Sequence, residues 1–268
     1  MNVSPAELPL VSIVTPSLNQ GEFIEAAIRS VAEQDYPQIE HIVVDGGSTD
    51  ATLDVLHRHP EVRWLSEPDD GQAAAINKGF RLARGEIFAW LNADDLYLPG
   101  AVSAAVAALR EHDAALVFGS WQQVDERGET LRRVRVVPFD YRRQLEVVNA
   151  VAQPTAFFTR AAYEAVGGVD DSYRYAMDYE LWLKLGRYKV VAIERELAAF
   201  RYHGDSKTVA EPEGFWPETW RAARSHGARL RSPLFLDYYL PRRHPRLHVL
   251  VRGARRVVAP FRGRRQWA

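Results

Sequence analysis

Short apolar runs that alternate with stretches of helical period constrain this chain more than any other feature. Leu10-Val11-Ser12-Ile13-Val14, His41-Ile42-Val43-Val44, Val62-Arg63-Trp64-Leu65 and Phe88-Ala89-Trp90-Leu91 each have the length and composition of a strand. Between the first two, residues 22–34 put Phe23, Ile24, Ala27, Ile28 and Val31 on one helical face. A second helix is expected over about 51–59, capped by Ser48 or Asp50. A third is expected over 72–83, ended by Arg84-Gly85. Further on, Val102, Ala105, Val106 and Leu109 share a helical face, and a strand is expected over 115–121. Pro16 is expected to stop the first strand. The alternation predicts an α/β fold, with a mostly parallel central sheet covered by helices on both faces. In such sheets ligands bind outside the carboxyl ends of the strands. Those ends carry Thr15-Pro16-Ser17, Asp45, Glu67-Pro68-Asp69 and Asn92-Ala93-Asp94-Asp95.

The last of these clusters is the most acidic. Adjacent aspartates without a counter-charge repel each other, and a divalent cation relieves this because hard cations prefer carboxylate oxygens. The alternative is an ordinary loop in which Asp95 caps a helix around residues 99–111.

Composition narrows the chemistry. The 268 residues are 47% hydrophobic and 26% charged, which is enough material for one large core. No cysteine is present, so disulfides, thiol nucleophiles and zinc–thiolate sites are excluded. Residues 1–9 lack the features of a signal peptide, and no run approaches the ~20 apolar residues of a membrane span. No Gly-x-Gly-x-x-Gly follows the first strand and no Gly-Lys-Ser/Thr loop occurs, so dinucleotide and P-loop readings have no support. Phosphate at strand ends lined by carboxylates then requires a metal.

Several stretches, in this order, resemble one family. They are Val11 through Asn19, Ile42 through Asp50, Gly71 through Gly79, Leu91-Asn92-Ala93-Asp94-Asp95, Gly167-Gly168-Val169-Asp170, Asp178-Tyr179-Glu180-Leu181-Trp182-Leu183 and Tyr202-His203. Over residues 10–203 the chain resembles the family 2 glycosyltransferases, whose fold is of the GT-A type. The resemblance implies an inverting, metal-dependent transferase acting on a nucleotide-diphosphate sugar, with a UDP-sugar favoured. It implies nucleotide contacts by Thr15, Pro16, Ser17, Asn19, Asp45, Asp69, Asn77, Lys78, Asn92 and Ala93. It implies Mn2+ or Mg2+ held by Asp94 and His203, and Asp178 as the catalytic base. Trp90, Asp95 and Gln153 would line the sugar or acceptor pocket, and Arg201 would pair with phosphate. Asn92 stands where relatives commonly have aspartate, and Met177 where many have glutamate. These departures keep a non-catalytic, sugar-nucleotide-binding scaffold as an alternative. A sugar nucleotidyltransferase is a further alternative, although the glycine-rich basic loop of that class is missing after the first strand.

The expected organisation is a catalytic domain over residues 1–210, with a nucleotide-binding half about 8–95 and an acceptor-binding half about 96–210. A helical, arginine-rich extension over 211–268 follows. From Arg221 onward the chain has 13 arginines, no lysine and one acid, Asp237. A helix over 212–227 is expected with Pro217 in its first turn. Residues 244–258 have the pattern of a basic amphipathic helix, suited to an anionic membrane surface rather than to nucleic acid; the alternative is a helix that packs its apolar stripe on the catalytic domain and keeps a solvated basic face. The implied setting is the cytoplasm, peripheral to the inner face of the cell membrane. The implied partners are the donor and a saccharide or lipid-linked acceptor.

Overall fold

The computed structural model describes residues 8–243. In chain order the elements are β1 (Val11–Ser17), α1 (Ile24–Ala32), β2 (Ile39–Asp45), α2 (Thr52–His57), β3 (Arg63–Ser66), α3 (Gln72–Leu82), β4 (Ile87–Trp90), β5 (Leu96–Tyr97) and α4 (Ala101–His112). They continue with β6 (Leu116–Val124), β7 (Thr130–Val134), α5 (Tyr141–Glu146), β8 (Phe157–Thr159), α6 (Arg160–Ala165), α7 (Met177–Leu185), β9 (Val190–Arg201), α8 (Lys207–Ala210) and α9 (Pro212–Ser225). A π-helical stretch, Leu234–Tyr239, runs into a last short helix, α10 (Leu240–Arg243). The basic amphipathic helix expected over 244–258 lies outside the described residues.

The strands form one sheet in the order β3-β2-β1-β4-β8-β6-β9-β5, with β7 paired to β6. β1, β2, β3 and β4 are parallel neighbours, as the strand–helix alternation predicts. Beyond β4 the sheet is mixed. β8 is antiparallel to both β4 and β6, and β5 is antiparallel to β9. β6 and β9 pair in parallel from Leu116↔Val190 to Val124↔Arg201. The fold is therefore a curled α/β sheet covered by helices.

The period-2 pattern sorts side chains to the two faces. Val14, Phe88 and Trp90 join a core that includes Phe80, Phe158 and Trp182. Val11, Ile13, Ile87, Ala89 and Leu91 point the other way, toward Val102, Ala105 and Leu109 of α4. In α1, Ile24, Ala27, Ile28 and Val31 are the buried face, while Glu25 and Arg29 pair outside at 2.7 Å.

Several local expectations are corrected. Pro16 does not stop β1; it pairs with Val44 inside the strand. Val14 accepts from the Leu91 N–H on the β4 side, and Pro16, two residues on, faces the same side after β4 has ended. Its missing N–H thus falls where no ladder partner stands. Asp95 caps no helix: it is buried six residues before α4 begins, behind a left-handed Gly100. Of the two caps considered for α2, Asp50 receives the Thr52 N–H at 3.0 Å, whereas Ser48 bonds Asp45 and the Asn19 N–H. Pro217 lies inside α9, beyond its first turn.

Close packing of α3 on β1 rests on Gly79, where an added Cβ would stand 2.4 Å from Val14 Cγ1. Glycine to alanine within a helix normally gains stability. Here overpacking against a buried β-branched residue outweighs that gain. Gly79→Ala should destabilise by about 1–3 kcal/mol, read as a lower denaturant midpoint. An unchanged or higher midpoint would contradict this account of the α3–β1 contact.

Candidate active-site cleft

The carboxyl ends of β1 and β4, the start of α3, the start of α7 and the segment after β9 enclose a cleft of about 650 Å³. Of the residues singled out from sequence, Pro16, Ser17, Asp69, Trp90, Asn92, Ala93, Asp94, Gln153 and Asp178 line it. His203 reaches it through Asp94, whose Oδ2 lies 3.0 Å from His203 Nε2.

Asn92 stands in the middle of a chain of amides. Its Oδ1 accepts from Gln72 Nε2 at 2.8 Å, and its Nδ2 donates to Gln153 Oε1 at 3.0 Å. Gln153 donates onward to the Trp90 carbonyl at 2.7 Å. At the other end, the Lys207 ammonium donates to Gln72 Oε1 at 2.7 Å. A carboxylate at position 92 would lose the donor to Gln153 and add negative charge beside Asp94 and Asp95. The amide is thus the residue that this network can accommodate.

Asp94 and Asp95 divide sharply. Asp94 faces the cleft. Asp95 is fully buried, accepts from the Arg201 N–H at 2.9 Å, and is not a cleft residue. Burial first, and then the Asp94 charge, push the Asp95 carboxyl well above the usual range. Hydrogen bonding to Asp94 raises the His203 imidazole against an opposing effect of burial. Among the described residues no three His, Asp or Glu side chains gather as a complete metal cage. Asp94 and His203 supply one carboxylate oxygen and one imidazole nitrogen side by side. That donor pair fits a cation which takes its other ligands from phosphate and water.

Across the cleft, Asp178 lies in the first turn of α7. It is half-buried, open to the cleft but enclosed by protein on its other sides. Desolvation pushes its carboxyl up to about 6, opposed by hydrogen bonds from the Tyr179 N–H and the Asn149 side chain. It does not cap the helix; Ala176 holds the N-cap position. Trp90 forms part of the floor, stacked on Trp182 with ring centroids 5.5 Å apart.

Other expected contacts are kept out of the cleft by local bonding. Asp45 is buried and accepts from Gly47 N, Ser48 N, Ser48 Oγ and Ser66 Oγ, so its turn uses the carboxylate fully. Thr15 bonds His41 Nε2 in the core. Asn19, in the left-handed region, ties the end of β1 to Thr49. Asn77 bridges α3 to both backbone groups of Val169, and Lys78 pairs with Glu67. The Arg201 guanidinium bonds the carbonyls of Asp94, Asp125 and Glu126 rather than facing the cleft. Residues that sequence reading missed also line it, among them Gln72, Arg174, Tyr175 and Lys207. Lys207 sits in a partly buried position that lowers its pKa. A lysine three residues after Gly204 has no local signature to find it by.

Charge on Asp178 costs folding energy. Its folded-state value lies above the ordinary 3.8, so stability is lost as pH rises from below 4 to above about 6. Asp178→Asn removes that cost. The variant should be more stable than wild type at pH 7.5, by roughly 1–3 kcal/mol, with the difference shrinking toward pH 4.5. A difference that stayed constant with pH would show that Asp178 is not held in a desolvated setting.

Comparison with known proteins identifies the family and the fold. Residues 12–166 match the family described as Glycosyl transferase family 2. An uncharacterized glycosyltransferase of Rickettsia typhi is 29% identical over 227 residues, covering 78% of this chain and 70% of that protein. Chondroitin synthase of Escherichia coli is 31% identical over 183 residues, 66% of this chain but 26% of the synthase. Among solved structures, S. aureus TarS 1–349 in complex with UDP-GlcNAc has a TM-score of 0.68 at 18% identity, over 88% of this chain and 73% of that one. The mannosyltransferase PcManGT from Pyrobaculum calidifontis, in complex with GDP-Man and Mn2+, has a TM-score of 0.68 at 20% identity, over 97% and 78% of the two chains. At these identities the structural likeness is one of fold, and the fold is of the GT-A type.

Proposed function

Because the chain belongs to glycosyl transferase family 2, we propose that it moves a sugar with inversion from a nucleotide-diphosphate sugar, a UDP-sugar first, to the hydroxyl of a saccharide or lipid-linked acceptor. The observation that carries this reading is that Asp94 and Asp178, 84 residues apart by their numbers, line a single cleft.

The division of labour follows from the side chains. Asp94, His203 and Lys207 gather where the diphosphate would lie, and the Lys207 ammonium offsets charge on it. Asp94 and His203 would hold Mn2+ or Mg2+, and the bound ion would supply Lewis-acid neutralisation of charge on the leaving group. The Gln72–Asn92–Gln153 chain holds the floor rigid, so that the sugar rests over Trp90 in a fixed pose. Asp178 accepts the proton of the acceptor hydroxyl as its oxygen bonds to the anomeric carbon. The bond from that carbon to the diphosphate breaks, and its electron pair leaves with the diphosphate oxygen.

The UDP-GlcNAc and GDP-Man complexes of the structural relatives support a nucleotide-sugar donor. The chondroitin synthase relative supports a place in the assembly of a bacterial surface polysaccharide or glycolipid. The arginines of residues 242–268 suit the anionic inner face of a membrane. Among the described residues no helix is long and apolar enough to cross one. Removal of 242–268 should abolish co-sedimentation with phosphatidylserine-containing liposomes. Retained binding would remove the tail from this role.

The decisive measurement is nucleoside diphosphate release from a panel of sugar nucleotides with Mn2+. Release should stop on chelation. Asp94→Asn should lose both turnover and the Mn2+-dependent thermal stabilisation by donor. Asp178→Asn should lose about 10²-fold or more in turnover while donor affinity holds. In the wild type kcat/KM should fall as pH drops through about 6, where Asp178 takes up a proton. Donor binding without release under any of these conditions would favour a scaffold over an enzyme.

A further inference from the structure

The carboxylate assigned as base does not hold its own position. Helix α7 starts at Met177, and the residues before it, 172–176, form a loop on the cleft wall. Asp170 accepts from the Ser172 and Tyr173 N–H groups, and the bonds that fix the rest of this loop come mainly from α9 or its cap. Glu218 Oε1 accepts from the Arg174 N–H at 3.1 Å, and its Oε2 from the N–H groups of Tyr175 at 2.7 Å and Ala176 at 3.0 Å. Glu211 accepts from Arg174 Nη2 at 3.0 Å and from the Tyr175 hydroxyl. Phe215 packs on the Tyr175 ring with centroids 5.2 Å apart. Gly214 allows the approach, since a Cβ there would meet that ring at 2.5 Å. Arg221 donates to the Ser172 carbonyl at 2.8 Å and lies over the Tyr173 ring.

Positions 211, 214, 215, 218 and 221 recur at helical spacing and form one face of α9. Trp216 and Trp220 lie on another face, against Tyr238, Phe235 and Tyr239. The helix is thus held from behind and grips the loop in front. Three backbone donors converging on one half-buried carboxylate make a charge-assisted, geometrically demanding contact. It sits where the α7 N–H groups concentrate positive potential. The same stretch of chain begins at His203 and Lys207, which touch Asp94 and Gln72. One segment therefore contacts both walls of the cleft.

We propose that Glu218 is a positioning residue for the transfer reaction: by clamping the backbone of 174–176, α9 holds Asp178 at its working place and shields it from water. This rests on the reading of Asp178 as base given above. It makes the helix after the family-matched region, residues 12–166, part of the catalytic machinery rather than an appendage.

The test uses the full chain with UDP-GlcNAc and GDP-mannose as donor probes and Mn2+, comparing wild type, Glu218→Gln, Glu218→Ala and, as control, the exposed Glu213→Ala. Loosening the loop lets water reach Asp178 and displaces it. Glu218→Ala should lower kcat by about 10–100-fold, keep donor KM within roughly twofold, and move the acid limb of the pH–rate profile below 6. Glu218→Gln keeps the shape and should fall between alanine and wild type. Glu213→Ala should match wild type. Wild-type kcat and an unmoved acid limb in both Glu218 variants would overturn the proposal, as would a rise in donor KM with kcat intact. Should the alanine variant fail to fold, the glutamine variant decides by the same readouts. If wild type releases no nucleoside diphosphate, the functional reading fails separately. Amide hydrogen exchange at 174–176 then still tests the clamp: faster exchange in Glu218→Gln supports it, and unchanged protection overturns it.

Discussion

Two neighbouring carboxylates at the end of a buried strand are the constraint to which the rest of the molecule answers. Asp94 and Asp95 lie just past the Leu91-Asn92-Ala93 segment that leaves β4, and one of them is fully enclosed. Water cannot solvate that enclosed group, so protein must. The answer comes from Arg201 at the far end of β9. Its backbone N–H reaches Asp95, and its guanidinium reaches the Asp94 carbonyl and the turn after β6. Because β9 runs parallel to β6 with Val124 opposite Arg201, the second half of the sheet is brought to the tip of the first. The mixed strands beyond β4 therefore deliver a cation and a histidine to a point that the parallel half has made acidic.

Charge is managed by spreading it over unlike groups. Asp94 is left to face solvent and His203. Enclosure pushes the Asp95 carboxyl up, and the Arg201 N–H and guanidinium charge oppose that rise. Position 92 carries an amide, which both accepts and donates, so that Gln72 and Gln153 are satisfied together. A third carboxylate would satisfy only the donors. What looks like a weakened motif in sequence is the residue consistent with its neighbours in space.

The parts legible in the sequence were those whose signal is local. Alternating strand and helix periods gave the parallel half of the sheet. Polar clusters at strand ends gave Pro16, Ser17, Asp69, Asn92 and Asp94 on the cleft wall, and the resemblance added Asp178 and Gln153. Pro16 misled because a proline is tolerated where the neighbouring strand has already ended, and the length of that neighbour is a tertiary fact. Asp45, Asn77 and Lys78 are polar residues near the right edge whose bonds are consumed by nearby partners; nothing in the chain order tells such a residue from one that is free. Gln72, Lys207 and Glu218 were invisible for the opposite reason. Each acts on a group dozens of residues away, through a backbone path that only the folded sheet defines.

The stacked indoles of Trp90 and Trp182 have a consequence of their own. The pair lies nearly parallel, 14° apart, with one member on the floor of the cleft and the other in α7 a few residues beyond Asp178. Two indoles at this separation couple most strongly through their intense far-ultraviolet transitions, and the resulting dichroism depends on the mutual orientation of the rings. Tilting either ring changes that signal. The protein thus contains an optical gauge, free of any added label, for the registry between its two halves.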